Sequence, residues 1–286
     1  MTAPASASPP DRLVSAIEDR RPILLDVIRH AQSRLTLSLF RCNDQEIIEE
    51  LAAAAARGVL VEVLVTSRAK GGRKRKQKLW RALERTGASV RAYTDPVVKY
   101  HAKYLVADQG PAVVASLNFT RKCFRKTCDA LVVTHDPAVV SGLRRLWTAD
   151  RDRQPMPEDL TDRLIVGPER ARRQFTALIA GARTSIRLID AKLSDPELVS
   201  VLNARRAEGL TIEIFSGKRA GALKSHGKLL LVDDELVVVG SLALAALSLD
   251  FRREVAIVVN EPSAVADAAQ LFGAVREAAA ERTTLA

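Results

Sequence analysis

One pattern occurs twice in this chain, and the copies stay in register far beyond the pattern itself. His101, Lys103 and Asp108 read H-x-K-x4-D in HAKYLVAD, and His226, Lys228 and Asp233 repeat that spacing in HGKLLLVD. Fifteen residues after each His stands a Ser (Ser116, Ser241), and twenty-eight after each stands a carboxylate (Asp129, Glu254). A single triplet could be accidental. Two in register over this length form an internal repeat, so the chain is expected to be two fused halves with chemistry in each.

The residue types suit attack on a phosphodiester. Histidine titrates near neutrality, so a neutral imidazole can attack and an imidazolium can give up a proton. On an extended segment a Lys two residues from a His points to the same face, because side chains alternate with period two. Two His with two Lys around one pocket would supply a nucleophile, an acid and a dense positive field.

With those motifs the chain resembles a two-motif member of the phospholipase D superfamily, from about Pro22 to about Glu281. The resemblance implies two α/β halves that fold alike, are related by a pseudo-twofold axis, and place both motifs at one shared site. It implies that His101 and His226 are the catalytic pair and that Lys103 and Lys228 hold phosphate oxygens. Ser116, Asn118 and Ser241 would complete the substrate cradle, and Asp129 and Glu254 would orient the imidazoles. Asp108 and Asp233 match motif aspartates whose role is mainly structural. The implied reaction is a two-step, metal-independent displacement through a phosphohistidine, with His101 as nucleophile, His226 as acid and no cofactor. The second half departs from the pattern: Ala243 stands where the first half has Asn118, two residues after the Ser, and the first half has Ala115 where the second has Gly240.

Composition sets bounds around this reading. At 286 residues and 47% hydrophobic content there is material for a large core. A net charge of +10 and a pI near 9.8 favour an anionic partner, nucleic acid or acidic lipid, without choosing between them. Cys42, Cys123 and Cys128 are odd in number and lack metal-ligand spacing, so reduced thiols and a cytoplasmic location are expected, with possible peripheral membrane contact. The start, MTAPASASPPDR, lacks an apolar h-region and reads as a disordered lead, and no apolar run reaches the roughly 20 residues that span a bilayer. One chain supplies both motifs, so a monomer is expected.

Strand, helix and strand signals recur in each half: RLTLSLF, EIIEELAAAAAR and VLVEVLV, then SIRLID, PELVSVLNARRAE and LTIEIF. Asp44 is a candidate cap for the first helix and Ser194 or Asp195 for its counterpart, with Gly58 and Gly209 as stops. Alternating strands and helices suggest in each half a mixed, mostly parallel sheet flanked by helices. The divisions are 1–20, a lead and first helix; 21–150, the first half; 151–163, a linker containing Pro155 and Pro157; and 164–286, the second half. His101 stands 43 positions after Gly58 and His226 stands 17 after Gly209, so the first half carries 26 extra residues. They begin with SRAKGGRKRKQK, whose Arg73, Lys74, Arg75 and Lys76 are candidate rim residues for an anionic substrate.

Lone histidines are ordinarily core or surface residues, which is the reading given to His30 and His135; the repeated partners set His101 and His226 apart. The apolar run LALAALSL, Leu242 to Leu249, is read as a buried helix between the halves, the alternative being a lip for an acyl chain. Phospholipid headgroups are the first expectation for the substrate, by hydrolysis or phosphatidyl transfer. A nuclease is the alternative, and a polyanion-binding module with a decayed site is the third.

Overall fold

A computed structural model of the chain describes residues 9–67 and 73–284. The lead at residues 1–8 and the start of the basic run, 68–72, lie outside the described residues, as do the side chains of Arg73 and Arg75. Two seven-stranded sheets form the frame. The first runs Arg12–Val14, Leu131–Thr134, Ala112–Ala115, Tyr104–Ala107, Arg34–Leu39, Leu60–Thr66, Ser89–Tyr93. The second runs Leu164–Gly167, Arg252–Val259, Leu236–Gly240, Lys228–Val232, Ser185–Asp190, Thr211–Phe215, with Lys99–Tyr100 added beside Arg252–Val259.

Both sheets are mixed, as expected, but antiparallel pairs outnumber parallel ones, which corrects the mostly parallel expectation. Parallel pairing is confined within each half to strands joined through a helix: Arg34–Leu39 with Leu60–Thr66 across Gln45–Ala56, Leu60–Thr66 with Ser89–Tyr93 across Arg73–Glu84, and Ser185–Asp190 with Thr211–Phe215 across Pro196–Ala207. The motif strands are joined instead by tight turns, and a short connection can only return the chain antiparallel. The 26 extra residues of the first half add a helix and an edge strand, whereas the second half has the short hairpin Arg219–Ala220 with Leu223–Ser225 at that point.

The apolar patterning fills three cores. Helix Ile17–His30 and helix Gln45–Ala56 cover the outer face of the first sheet through Leu24, Ile28, Ile47 and Leu51. Helices Ala171–Ala180 and Pro196–Ala207 cover the second through Phe175, Ile179, Leu198 and Leu202. Between the sheets, Tyr104, Val114 and Val132 of the first half meet Leu229, Val239 and Val255 of the second, joined by Trp147 of helix Pro137–Asp152 and Phe272 of helix Pro262–Thr284. The indole N–H of Trp147 is satisfied by the carbonyl of Leu37 at 2.9 Å, so this large ring is buried without an orphaned donor. Helix Pro137–Asp152 and strand Leu164–Gly167 flank the connection over residues 153–163.

Local signals mostly act as their chemistry dictates. Asp195 caps its helix by accepting from Leu198 N at 3.1 Å, while Gly58 and Gly209 end theirs at φ of 87° and 97°. Asp44 sits at its expected N-cap position, but its carboxylate makes no cap bond and pairs with Arg21 at 3.2 Å. No helix among the described residues is long and apolar enough to cross a membrane.

Candidate active site

The halves exchange strands at the motifs. Lys99–Tyr100, just before His101, lies parallel to Arg252–Val259 of the second sheet, and His101 N donates to Arg253 O at 2.9 Å. Leu223–Ser225, just before His226, lies parallel to Thr127–Cys128 of the first half, and Gly227 N donates to Cys128 O at 2.7 Å. A β-carbon on Gly227 would meet that carbonyl at 2.6 Å, so only glycine allows this approach. Each motif histidine is therefore delivered to the carboxylate of the opposite half.

The histidine–carboxylate pairs cross accordingly. His226 Nδ1 lies 2.9 Å from Asp129 Oδ1 and 3.1 Å from Oδ2, and His101 Nδ1 is bonded to Glu254 Oε1. With Nδ1 donating to a carboxylate, Nε2 of each ring is the atom available for chemistry. Both carboxylates are fully buried and held from behind. Ser116 Oγ and Thr127 Oγ1 donate to Asp129 at 2.7 and 2.5 Å, and Ser248 Oγ donates to Glu254.

The lysines stand beside the rings as the period-two argument expects. Lys103 Nζ lies 3.1 Å from Nδ1 and 3.5 Å from Nε2 of His101 and donates to its carbonyl at 2.6 Å; Lys228 Nζ donates to the carbonyl of His226. Asn118 Nδ2 is 3.4 Å from His226 Nε2, and its buried carbonyl oxygen has no partner among the described residues. Ala243, at the matching position, is buried and gives its N–H to Ser248 Oγ at 2.9 Å.

The two expected cradle serines are buried and engaged within the protein. Ser116 is bonded to Asp129 and to the backbone of Ala130, and Ser241, among the described residues, to the backbone of Val255. The motif aspartates stand apart from the rings. At φ of 42° Asp108 collects the backbone N–H groups of Gln32, Ser33 and Arg34 at 2.7 to 2.9 Å, and Asp233 at 56° does the same for Arg183, Thr184 and Ser185. Burial raises the Asp233 pKa, but these donors outweigh it and bring it to about 2.

Electrostatics make the two rings unequal. Burial, then the charges of Lys103, Lys228, Arg252 and Lys192, hold the His101 pKa well below the ordinary histidine value. Burial also lowers that of His226, but Asp129 opposes the shift. The carboxylates differ in the same sense. Burial raises Glu254 against the pull of Lys103, whereas for Asp129 burial is outweighed by His226, Lys228 and Thr127 and the pKa falls. Burial pushes Lys103 down to about 7.

Several contributors carry no repeat signal. Ser248 and Thr127 hold the carboxylates, and Lys192 and Arg252 add charge near His101. Phe40 packs its ring 4.2 Å from that of His101 and lies under Lys103 and Arg41 at 5.3 and 5.0 Å. Sequence could have offered a hint for Lys192, since it aligns with Arg41 after the first strand of each half. The donor atoms of Cys123, Asp129 and His226 lie within 4.8 Å of one another and are the one cluster among the described residues that could hold a metal; Asp129 in it is already committed to His226, Ser116 and Thr127. Of the candidate rim residues, Lys74 is exposed and Lys76 donates to Ser67 O at 2.6 Å, both on helix Arg73–Glu84.

Two imidazoles with crossed carboxylates and adjacent lysines, on two mixed sheets interlocked at the motifs, define a phospholipase D-like fold and site. Residues 24–150 match the family described as cardiolipin synthase, PLD-like domain, so the first half is similar to phospholipase D-like domains, a likeness that implies a phosphodiester substrate. Among solved structures, the polyphosphate kinase of Porphyromonas gingivalis is 20% identical with a TM-score of 0.74, over 92% of this chain and 46% of its own. This chain thus spans less than half the length of that protein. A phosphatidylserine synthase of Haemophilus influenzae Rd KW20 is 12% identical with a TM-score of 0.71, over 93% and 86%. Both are likenesses of fold, and no curated protein sequence matches the chain.

Proposed function

We propose that the protein is a metal-independent phosphodiesterase working through a phosphohistidine on His101. The observation that carries this reading is the crossed pairing, which leaves two Nε2 atoms with unequal basicity in one positive field. His101, the ring harder to protonate, keeps its lone pair and attacks phosphorus. The bond from phosphorus to the leaving oxygen breaks, and His226, supported by the better-ionised Asp129, gives that oxygen its proton. Neutral His226 then takes a proton from water, whose oxygen displaces His101 and restores both rings. Lys103, Lys228 and the Asn118 amide stabilise the equatorial oxygens. Ser116 and Ser241 act through the carboxylate and the strand backbone instead of touching substrate.

For the substrate we infer a nucleic acid strand. The case for phospholipid set an apolar lip against a basic rim, yet Leu242, Ala243, Leu244 and Leu249 are buried, the three leucines in the outer core of the second half. The basic side, by contrast, is an open cleft beside His101. Phospholipid, by hydrolysis or phosphatidyl transfer, is the second reading. It is favoured by half-exposed Leu247 and Phe251, one helical turn apart next to Arg252, and by the lipid enzymes named in the family model and in one similar structure. The three buried free thiols fit a cytoplasmic setting.

The test incubates the protein in EDTA with single-stranded DNA or RNA, with duplex and with anionic phospholipid vesicles, beside His101→Ala. Given a diester whose leaving group needs no proton, such as 4-nitrophenolate, His226→Ala should accumulate an alkali-stable, acid-labile phosphohistidine. Strand cleavage that survives EDTA and vanishes in His101→Ala is the expected result. Headgroup release without strand cleavage would move the reading to phospholipid, and loss of all activity in EDTA would end the metal-independent mechanism.

A further inference from the structure

A cleft of about 730 Å³ opens beside the catalytic centre and shares Phe40 with it, the ring that packs on His101. Its walls combine two aromatic rings, Phe40 and Trp80, with the cations Lys76, Lys78, Arg121 and Lys122. Lys78 also lines a second, shallower groove that continues along helix Arg73–Glu84 through Lys74, Arg81 and Arg85, with Glu84 as its one acid. The two depressions therefore form one track that starts at the active site.

Many of the arginines elsewhere are neutralised by carboxylates. Arg29, Arg34, Arg145, Arg163, Arg172, Arg183 and Arg187 are each paired with a carboxylate. Lys74, Lys78, Arg81, Arg85, Arg121 and Lys122 have no ion pair among the described residues, and all six are exposed. The acid lining the cleft, Asp44, is buried and spent on Arg21. A helix of 12 residues is about 18 Å long, so the track offers charge for several phosphates in a row where a single headgroup would need one.

We propose that this track binds the flank of a single-stranded nucleic acid, with phosphates along Lys74, Lys78, Arg81, Arg85, Arg121 and Lys122 and a base stacked on Trp80. The proposal rests on the nucleic-acid reading above and adds to it strandedness and the place where the flanking strand lies. A duplex keeps its bases stacked on one another, so only an unpaired base can reach Trp80. Stacking on an aromatic ring beside a cationic groove is the common way to hold a strand without reading its sequence.

The probe is a fluorescein-labelled oligodeoxythymidylate, titrated against the full chain carrying His101→Ala so that the strand stays intact. Trp80→Ala should weaken binding about tenfold, the scale of one lost base stack. Arg121→Gln, Lys122→Gln, Lys78→Gln and Arg81→Gln together should flatten the log–log salt dependence by about 0.7 per charge removed. The same substitutions in the active chain should leave turnover of bis(4-nitrophenyl) phosphate unchanged. If Trp80→Ala lowers the melting temperature, Trp80→Phe, which keeps a stacking ring, and the surface set of four carry the test.

Unchanged strand affinity in both the Trp80 and four-charge variants would overturn the proposal, as would equal binding of duplex. Turnover of the small diester with no strand binding would also reject the track but leave the phosphodiesterase reading standing. Strand binding that depends on the track, with no diester turnover, would reject the reaction and leave the track. Binding of anionic vesicles in place of the strand would reject the track and favour the phospholipid reading.

Discussion

Nδ1 of His226 sits 2.9 Å from Oδ1 of Asp129, a residue 97 positions earlier in the other half of the chain. The reverse pair, His101 with Glu254, spans 153 positions. Neither imidazole is oriented by its own half. Asp129→Asn should therefore damage the acid step and Glu254→Gln the nucleophile, each by about 10²- to 10⁴-fold in kcat. Single-turnover kinetics check this: Asp129→Asn should still form phosphohistidine from a substrate with a good leaving group, and Glu254→Gln should not. Equal loss of the first step in both variants would refute the assignment.

The pH profile should be displaced towards acid. His101 protonates only well below the ordinary range, so the loss of activity at low pH is delayed. The acid His226, also lowered, and then Lys103 at about 7 shed the protons that catalysis needs as pH rises, so kcat/KM falls through neutrality. Lys103→Arg, permanently charged, should remove the later of these two ionisations from the descending limb even if it lowers the rate. A profile that stays flat to pH 9 in the unsubstituted protein would count against both roles.

Ser248→Ala should slow the reaction by about tenfold or more, because it removes the donor that holds Glu254 and the acceptor for Ala243 N. Ser241→Ala, which touches only backbone, should have a smaller effect. Asn118→Ala should be severe, since Ala243 supplies no second amide. Steady-state kinetics on a soluble diester rank the three.

Asp233 should matter to stability and little to chemistry. Its folded pKa of about 2 lies below the unfolded value, so its contribution is full above that unfolded value and is lost as pH falls through about 2. The amount is on the order of 1–2 kcal/mol once solvent screening is allowed for. Asp233→Ala should lower the melting temperature at pH 7 far more than at pH 2 while kcat per folded molecule is kept. A large loss of kcat without loss of stability would make it a catalytic residue.

The candidate site residues that the structure brings together were legible because the repeat fixes them: His101, Lys103, Asp129 and their counterparts sit at equal spacings, and spacing is what sequence displays. The crossing was not, since it depends on Lys99–Tyr100 and Leu223–Ser225 leaving their own sheets. Short strands of two or three residues carry almost no pattern. Ser248 was hidden for a related reason: the support of Asp129 comes from Ser116 and Thr127, at other offsets. The parallel expectation failed at the motif strands because a run such as LVVVG reads alike in either direction of pairing, and only the turn lengths distinguish them. The apolar run after Ser241 was expected as a buried helix between the halves. Leu242, Ala243, Leu244 and Leu249 are buried, but the leucines sit in the outer core of the second half, the helix begins only at Ala246, and Ala246 and Leu247 are exposed.

The exchanged strands also bear on how the protein is made. A ribosome builds the chain from its N-terminus, and His101 emerges long before Glu254 and the strand Arg252–Val259 against which its own segment lies. Until Glu254 is out, His101 lacks the carboxylate with which it pairs. Under the proposed phosphodiesterase reading, the protein is synthesised beside messenger and ribosomal RNA. The two-way clasp means that the proposed centre is completed only after the strand Arg252–Val259 has joined the first half.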